Sequence, residues 1–215
     1  MGAAPKTSPQ AGVGRLRGIN ILLLCTGNIC RSPVAEALLR QRLVDLGVDA
    51  RVRSAGLLRA GQPASEYGQE ILQARGLDLS QHRSRTVTRE ILRGAHLVVT
   101  MAREHVREAV VAAPEAWNRT FTLKELVRRA EQVGPRSPDE SFDTWLARVG
   151  AGRTPADLMG SSTADDITDP LGMPRSAYEQ MVTELDDLLD RLVLLAWGHA
   201  TVAEAEAAPA AGAVS

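Results

Sequence analysis

The chain has 215 residues, and 25 Lys and Arg residues against 26 Asp and Glu residues leave a formal net charge of −1. This balance excludes a bulk electrostatic attraction to nucleic acid or anionic lipid, and two cysteines with four dispersed histidines exclude a disulfide framework and a zinc site. We therefore expect a cytoplasmic, monomeric globular protein without a metal or cofactor, with no nucleic-acid partner and no membrane association.

Both ends of the chain differ in composition from its centre. Residues 1–18 mix Gly, Pro, Ser and Arg without the apolar centre of a signal peptide, which predicts a flexible tail. Residues 199–215 are rich in Ala and have no periodic apolar face, which predicts a disordered tail. The remaining residues, 19–198, have the length of one domain.

Apolar runs alternate with helical patterns along this domain. Ile19–Cys25 reads as a buried strand, and Ser32 and Pro33 open the next helix as its predicted N-cap and first residue. The later predicted strands are Val48–Ser54, Leu97–Met101 and Thr120–Leu123. The later predicted helices are Ser65–Arg75, Thr88–Arg93, Ala102–Ala113, Lys124–Glu131 and a last one that begins with a capping box at Ser176–Glu179. This alternation predicts an α/β fold with a parallel sheet and helices on both faces, and ligands bind such sheets at the carboxyl ends of the strands.

Residues 134–166 interrupt the alternation and are rich in Gly, Pro, Ser and Asp, so we expect an enlarged loop insertion. Within it, Phe142, Trp145, Leu146 and Val149 fall at helical spacing after Asp139. This spacing favours a short helix packed on the domain. The alternative is a lid or docking surface beside an active site.

The segment Cys25–Pro33 connects the first strand directly to the first helix, and it reads Cys-Thr-Gly-Asn-Ile-Cys-Arg-Ser-Pro. Backbone N–H groups and the helix dipole converge there on a phosphate-sized anion, and Gly27 is expected to let the chain curl around it. The same field favours a thiolate at Cys25. Arg31 can present a planar fork to two phosphate oxygens, and Ser32 can hydrogen-bond the Cys25 sulfur.

Four motifs in chain order resemble the low-molecular-weight protein tyrosine phosphatases. The segment Cys25–Glu36 resembles the signature loop of that family, and Ser54-Ala-Gly56 resembles the turn after its second strand. His82-Arg-Ser-Arg85 resembles its His-Arg-x-Arg segment, and Asp166-Ile-Thr-Asp169-Pro170 resembles its late Asp-Pro loop. The resemblance implies a four-stranded parallel sheet flanked by helices, of Rossmann-like type, and a phosphorylated protein as the substrate.

The resemblance also implies a role for each matched residue. Cys25 would attack phosphorus, Arg31 would hold the equatorial oxygens, and Asp169 would act as general acid and then as general base. The phosphate-binding loop would comprise Thr26, Gly27, Asn28, Ile29, Cys30 and Ser32. The supporting residues would be Ser54, His82, Pro170 and Leu171.

Two further inferences concern the cysteines. Family resemblance implies a reversible Cys25–Cys30 disulfide, although Cys30 could equally be a small buried thiol. Arsenate reductases on this scaffold need additional downstream cysteines, which this chain does not have, so that chemistry is excluded.

The substrate class is less sharply defined. The bacterial branch of the family also contains protein-arginine phosphatases, and three segments resemble that branch: Cys25–Asn28, Phe121–Glu125 and Asp169–Gly172. The residue before the second loop cysteine is typically Thr in arginine phosphatases and is Ile29 here, which favours phosphotyrosine. Family members usually place aromatic residues where this chain has Leu171 and Leu57–Arg59, so we expect modest affinity for phosphotyrosine peptides. A catalytically weak phosphate-binding module is a further alternative, disfavoured by the presence of both a nucleophile and an acid. A sulfurtransferase is disfavoured because it has no need of Asp169.

Overall fold

The computed structural model describes residues 18–158 and 162–207. The predicted flexible N-terminal tail lies outside the described residues except for Gly18. The predicted disordered tail lies outside them only from residue 208, because the last helix continues to Ala207. The predicted domain boundary at residue 198 falls inside this helix and stays a prediction. Within the described part of the chain, no helix is both long and apolar enough to cross a membrane.

The four predicted strands are present and form one parallel sheet in the order β2-β1-β3-β4. Their bounds are β1 Ile19–Cys25, β2 Ala50–Gly56, β3 Leu97–Thr100 and β4 Thr120–Thr122. In the register of β1 and β2, Cys25 pairs with Gly56, so the carboxyl ends of the two strands lie side by side. The predicted four-stranded α/β sheet is confirmed.

Seven α-helices connect and follow the strands in the described residues. They are α1 Arg31–Asp45, α2 Glu66–Gln73, α3 Arg89–Arg93, α4 Arg103–Ala112, α5 Leu123–Val133, α6 Phe142–Gly150 and α7 Arg175–Ala207. Two predicted helix starts are wrong. The N-cap of α1 is Cys30, because the hydroxyl of Ser32 is turned toward the loop instead of toward the helix amides. Helix α7 begins at Arg175, so Ser176 lies inside its first turn.

Helices cover both faces of the sheet, as predicted, and β1 shows why. Ile21, Leu23 and Cys25 pack into the core on one face, against buried residues of α1, α5 and α7. Leu22 and Leu24 alternate with them and pack into the core on the other face, against α3 and α4. A strand buried on both faces reads as a continuous apolar run, which is how β1 appears in the sequence.

The insertion at residues 134–166 contains the predicted short helix, α6. Its apolar side chains are buried, and Phe142 stacks on Trp197 with ring centroids 5.4 Å apart. Asp143 and Leu146 line a cavity of about 390 Å³ together with His96, which precedes the amino end of β3. Helix α6 therefore lies toward the end of the sheet opposite Cys25, so the structure does not support the lid or docking surface considered for it.

Candidate active site

The sulfur of Cys25 lies at the carboxyl end of β1 and is enclosed by hydrogen-bond donors. The backbone N–H of Asn28 donates to Sγ at 3.2 Å, and Ser32 Oγ lies 3.0 Å from Sγ. Cys25 is buried, with 2% of its surface exposed. Donors of this kind stabilise a thiolate, and the Ser32 hydroxyl can also stabilise the sulfur as a leaving group.

Asn28 organises the loop. Its φ of 53° is in the left-handed region. Among the residues that the structure describes, Asn28 is the one non-glycine residue with a positive φ. Gly27 itself has no positive φ, and its expected role in letting the chain curl around an anion stays a prediction. Asn is one of the few side chains that tolerate this region, because its short amide can hydrogen-bond locally.

The fully buried Asn28 amide is held from several directions. Its Nδ2 donates to Ser32 Oγ at 3.0 Å and to Ser54 Oγ at 2.8 Å, and its Oδ1 accepts from the backbone N–H of Arg85 at 3.0 Å. His82 Nε2 lies 2.8 Å from the Asn28 carbonyl oxygen. The predicted supporting residues Ser54 and His82 thus both contact this asparagine, and satisfied buried networks of this kind rigidify the backbone that carries them.

Arg31 connects the loop to the late Asp-Pro segment. Its Nη2 donates to Asp169 Oδ2 at 2.5 Å and to Thr26 Oγ1 at 3.2 Å, and its Nη1 donates to the Ile167 carbonyl at 3.3 Å. Its Nε is buried and has no hydrogen-bond partner among the described residues. A buried donor without a partner in an anion-binding loop is a suitable contact for a phosphate oxygen.

The three acidic residues of the late loop have separate environments. Asp169 faces Arg31 with 40% of its side chain exposed, and Oδ1 accepts from the Leu171 N–H at 3.2 Å. Asp165 pairs with Arg128, and Asp166 accepts from the first backbone N–H of α4 at 2.8 Å. Among the described contacts of these three residues, only those of Asp169 reach the phosphate loop. Asp169 directly precedes Pro170, which is buried.

The second loop cysteine is a buried free thiol, as is Cys25. Its Sγ lies 3.6 Å from the hydroxyl of Tyr178 on α7. Burial raises the pKa of the Cys30 thiol and raises the pKa of Tyr178 to about 12. Cys30 is thus held in its protonated form. The disulfide between Cys25 and Cys30 stays a prediction.

Aliphatic side chains stand near the opening of the loop. Leu171 and Leu58 each expose 58% of their surface, and the Leu58 N–H donates to the Thr26 carbonyl at 3.1 Å. Ile29 is half-buried and packs against the main core, while its carbonyl accepts from Ser65 at 2.8 Å. The two positions where the sequence lacks the expected aromatic rings, residues 58 and 171, are therefore exposed and available to contact a substrate.

Four residues at the site were not assigned a role from the sequence. Glu36 accepts from Ser54 Oγ at 2.6 Å, Arg85 donates to the Ser54 carbonyl at 2.6 Å, and Tyr178 contacts Cys30. His105 Nε2 lies 2.9 Å from Thr26 Oγ1. Glu36 and Arg85 stand inside recognised motifs, and His105 closely follows the carboxyl end of β3, so these positions carried a usable signal. Tyr178 is one residue of an apolar stripe and carried none.

No group of three or more His, Cys, Asp or Glu side chains in the described ranges is arranged to hold a metal ion. The site instead combines a thiol, a guanidinium, a ring of backbone amides and a carboxylate. That set suits nucleophilic transfer of a phosphoryl group.

The sequence model of the family described as low molecular weight phosphotyrosine protein phosphatase matches residues 20–140. This match covers more than half of the chain, and the chain therefore belongs to this family of cysteine-dependent phosphatases.

Named relatives fall in two groups. The chain is 34% identical over 173 residues to a protein-arginine-phosphatase of Geobacillus stearothermophilus, covering 80% of this chain and 92% of the relative. It is 32% identical over 133 residues to the low molecular weight protein-tyrosine-phosphatase Etp of Escherichia coli K12, covering 61% and 87%.

Solved structures show the same fold. A low molecular weight protein tyrosine phosphatase from T. tengcongensis superposes with a TM-score of 0.62 at 33% identity, covering 82% of this chain and 98% of that one. The arginine phosphatase from Geobacillus stearothermophilus gives a TM-score of 0.59 at 29% identity, covering 91% and 99%.

Proposed function

We propose that the chain removes phosphate from phosphotyrosine in proteins through a phosphocysteine intermediate. The observation that carries this proposal is the meeting of Arg31 and Asp169, whose Nη2 and Oδ2 atoms lie 2.5 Å apart beside the Cys25 loop. A nucleophile, an oxyanion-binding guanidinium and a carboxyl group are thereby brought to one point at the carboxyl edge of the sheet. A module that only bound phosphate would need neither the nucleophile nor the acid.

The first step breaks the ester bond. The Cys25 thiolate attacks phosphorus, an S–P bond forms, and the bond to the leaving oxygen breaks while that oxygen takes a proton from Asp169. Arg31 Nη2, which now contacts Asp169, and the unpartnered Arg31 Nε would bind equatorial oxygens, with the loop amides completing the cradle.

The second step regenerates the enzyme. Asp169, now a carboxylate, accepts a proton from a water molecule as the water attacks phosphorus, and the S–P bond breaks to release phosphate. The Ser32 hydroxyl at 3.0 Å from Cys25 Sγ supports the departing thiolate. Restriction of the backbone before Pro170 and the Leu171 N–H bond to Oδ1 help to aim the Asp169 carboxyl.

Phosphoarginine is the second candidate substrate. In its favour, the match to a protein-arginine-phosphatase extends over 173 residues, whereas the match to Etp covers 133. Against it, Ile29 offers no side-chain acceptor to the N–H groups of a guanidinium. Aliphatic walls at Leu58 and Leu171 bury a tyrosine ring but do not provide aromatic stacking.

Parallel hydrolysis of matched phosphotyrosine and phosphoarginine peptides tests the substrate class. We expect a higher kcat/KM for the phosphotyrosine peptide, and Ile29→Thr should shift the ratio toward phosphoarginine, with Ile29→Val as the size control. A wild-type preference for phosphoarginine would assign the chain to the arginine branch.

We further propose that the protein works as a cytoplasmic monomer on phosphorylated proteins. The two buried free thiols support a reducing compartment, because a thiolate nucleophile must stay reduced to act. The near-neutral net charge gives no reason to invoke nucleic acid or a membrane surface as a partner. Size-exclusion chromatography with light scattering tests the oligomeric state, and a stable dimer would contradict it.

A further inference from the structure

A buried histidine lies behind the phosphate loop. His105 is in the first turn of α4, directly after the carboxyl end of β3, and none of its surface is exposed. Its Nε2 lies 2.9 Å from Thr26 Oγ1. Buried polar side chains are conformationally fixed by their partners, so this contact holds both side chains in place.

The Thr26 hydroxyl is shared with Arg31. Arg31 Nη2 lies 3.2 Å from the same Oγ1 atom, and because a guanidinium has only donors, Thr26 must accept this bond. One hydroxyl oxygen therefore joins His105 to Arg31. Arg31 is held on its other nitrogen by the Ile167 carbonyl, at 3.3 Å from Nη1.

The surroundings of the imidazole favour one tautomer. Nε2 has two acceptors within reach, Thr26 Oγ1 at 2.9 Å and Glu104 Oε1 at 3.4 Å. Nδ1 is buried and has no hydrogen-bond partner among the described residues. Because an unpaired buried N–H is more costly than a bare acceptor nitrogen, the single proton belongs on Nε2. Burial and the nearby Arg31 charge lower the pKa of His105 to about 3, so the ring carries only this one proton at neutral pH.

We propose that His105 is a positioning residue: its Nε2–H donates to Thr26 Oγ1, which fixes that oxygen toward Arg31 and thereby orients the guanidinium for the phosphate. A role of this arrangement in catalysis rests on the proposed function, whereas its effect on phosphate binding does not require turnover. During the proposed reaction Asp169 must turn from Arg31 to the leaving oxygen. Thr26 and Ile167 are then the partners that keep the guanidinium in place, and His105 supports the first of them.

The test is a double-mutant cycle with inorganic phosphate as the probe. Calorimetry would give the phosphate affinity of wild type, Thr26→Val, His105→Leu and the double variant, each with its fold checked by circular dichroism. We expect each single variant to bind phosphate about tenfold more weakly, and the double variant to be no weaker than either. His105→Gln, which keeps a donor, should recover most of the affinity lost in His105→Leu.

Two results would overturn the inference. One is phosphate affinity in folded His105→Leu equal to that of wild type while Thr26→Val is weakened. The other is full additivity of the two losses in the double variant. A purely structural role for His105 would lower the melting temperature without changing the phosphate affinity of the folded protein.

A measurement on the unmodified protein covers the case in which His105→Leu does not fold. Long-range proton–nitrogen NMR correlation of the His105 ring should show Nε2 protonated, and a protonated Nδ1 would contradict the proposed donor. These readouts do not depend on turnover. If wild type hydrolysed neither phosphopeptide while the coupling and the tautomer held, the proposed function would fail and the positioning of Arg31 would stand.

Discussion

Gly56, at the end of β2, lies against the backbone of Asn28 in the phosphate loop. A Cβ atom added to Gly56 would approach the Asn28 backbone nitrogen and the Thr26 carbonyl oxygen to 2.8 Å each. Both are backbone atoms that cannot rotate away as a side chain would. The second strand therefore fixes the position of the loop by contact, in addition to the hydrogen bond that Asn28 Nδ2 donates to Ser54 Oγ.

This contact predicts that Gly56→Ala displaces the phosphate loop. We expect a loss of about 2 kcal/mol in the free energy of unfolding, since overpacking typically costs 1–3 kcal/mol, and a loss of kcat/KM of more than tenfold. Urea unfolding and peptide hydrolysis measure the two effects. The control is Gly94→Ala, where the added Cβ meets its nearest atom at 3.4 Å. Full activity in folded Gly56→Ala would show that the loop does not depend on this approach.

His105 makes the stability of the protein sensitive to acid. Its pKa is lowered from 6.5 to about 3 in the folded state, because burial and Arg31 disfavour the charged ring. Between these values the unfolded chain binds the extra proton, so stability is full above pH 6.5 and is lost as the pH falls. From pH 7 to pH 4 this one group should remove about 3 kcal/mol from the free energy of unfolding.

Replacing His105 by Gln removes that titration. Urea unfolding at several pH values should show a smaller loss of stability toward pH 4 in His105→Gln than in wild type. Parallel curves for the two proteins would mean that His105 titrates normally.

Arg153 connects the insertion at residues 134–166 to the body of the protein. From its contacts we predict that the insertion stabilises the fold and takes no part in the chemistry. The Arg153 guanidinium lies 4.1 Å from the ring centroid of Trp117 and 3.9 Å from that of Phe121, and its Nε donates to Glu125 at 2.8 Å. Only 2% of the Arg153 side chain is exposed. In Arg153→Ala the mostly buried Glu125 carboxylate loses one of the positive charges that balance it. We therefore expect a loss of about 3 kcal/mol in the free energy of unfolding.

The matched control for that variant is Arg148→Ala, because the Arg148–Glu140 pair lies at the surface with 42% of the Arg148 side chain exposed. The loss of stability in this control should be much smaller than in Arg153→Ala, because exposed ion pairs contribute little. Both variants should keep the wild-type kcat. A loss of kcat in folded Arg153→Ala, without a loss of stability, would instead connect the insertion to the active site.

Leu171 offers a test of the aliphatic wall. A ring at this exposed position should stack on a phosphotyrosine ring, so Leu171→Phe should lower the KM for a phosphotyrosine peptide about fivefold, equivalent to about 1 kcal/mol. Val111→Phe adds a ring at another exposed position, toward the carboxyl end of α4, and should leave KM unchanged. An unchanged KM in Leu171→Phe would indicate that residue 171 does not face the substrate.

The separation of contacting residues along the chain explains which parts of the site could be predicted from the sequence. Cys25, Asn28, Arg31 and Ser32 lie in one strand–loop–helix segment, so their proximity follows from local geometry. The contact of His105 with Thr26 spans 79 residues, and that of Tyr178 with Cys30 spans 148. Each of these depends on how a helix packs, which hydrophobic periodicity does not specify to within one side chain.

Two local features of the loop depart from what the sequence pattern indicates, each for a physical reason. The positive φ at Asn28 was not predicted; three hydrogen bonds of its side-chain amide and the contact of His82 Nε2 with its backbone carbonyl hold that conformation. Ser32 does not cap α1, because its hydroxyl is engaged with Cys25 and Asn28. In both cases the demands of the anion site override the ordinary preferences of turns and helix ends.

Trapping of the covalent intermediate tests whether Cys25 is the nucleophile. Wild type, Cys25→Ser and Asp169→Ala would be mixed with p-nitrophenyl phosphate, quenched in acid and mapped by mass spectrometry. The nitrophenolate of this substrate is a good leaving group and needs little help from an acid, so Asp169→Ala should still form the intermediate. Hydrolysis of the intermediate should be slower than in wild type by a factor of about 10² to 10⁴. We expect one phosphoryl group on Cys25, more of it in Asp169→Ala, and neither adduct nor turnover in Cys25→Ser. Turnover that survives Cys25→Ser, or a phosphoryl group on another residue, would contradict the assignment of Cys25.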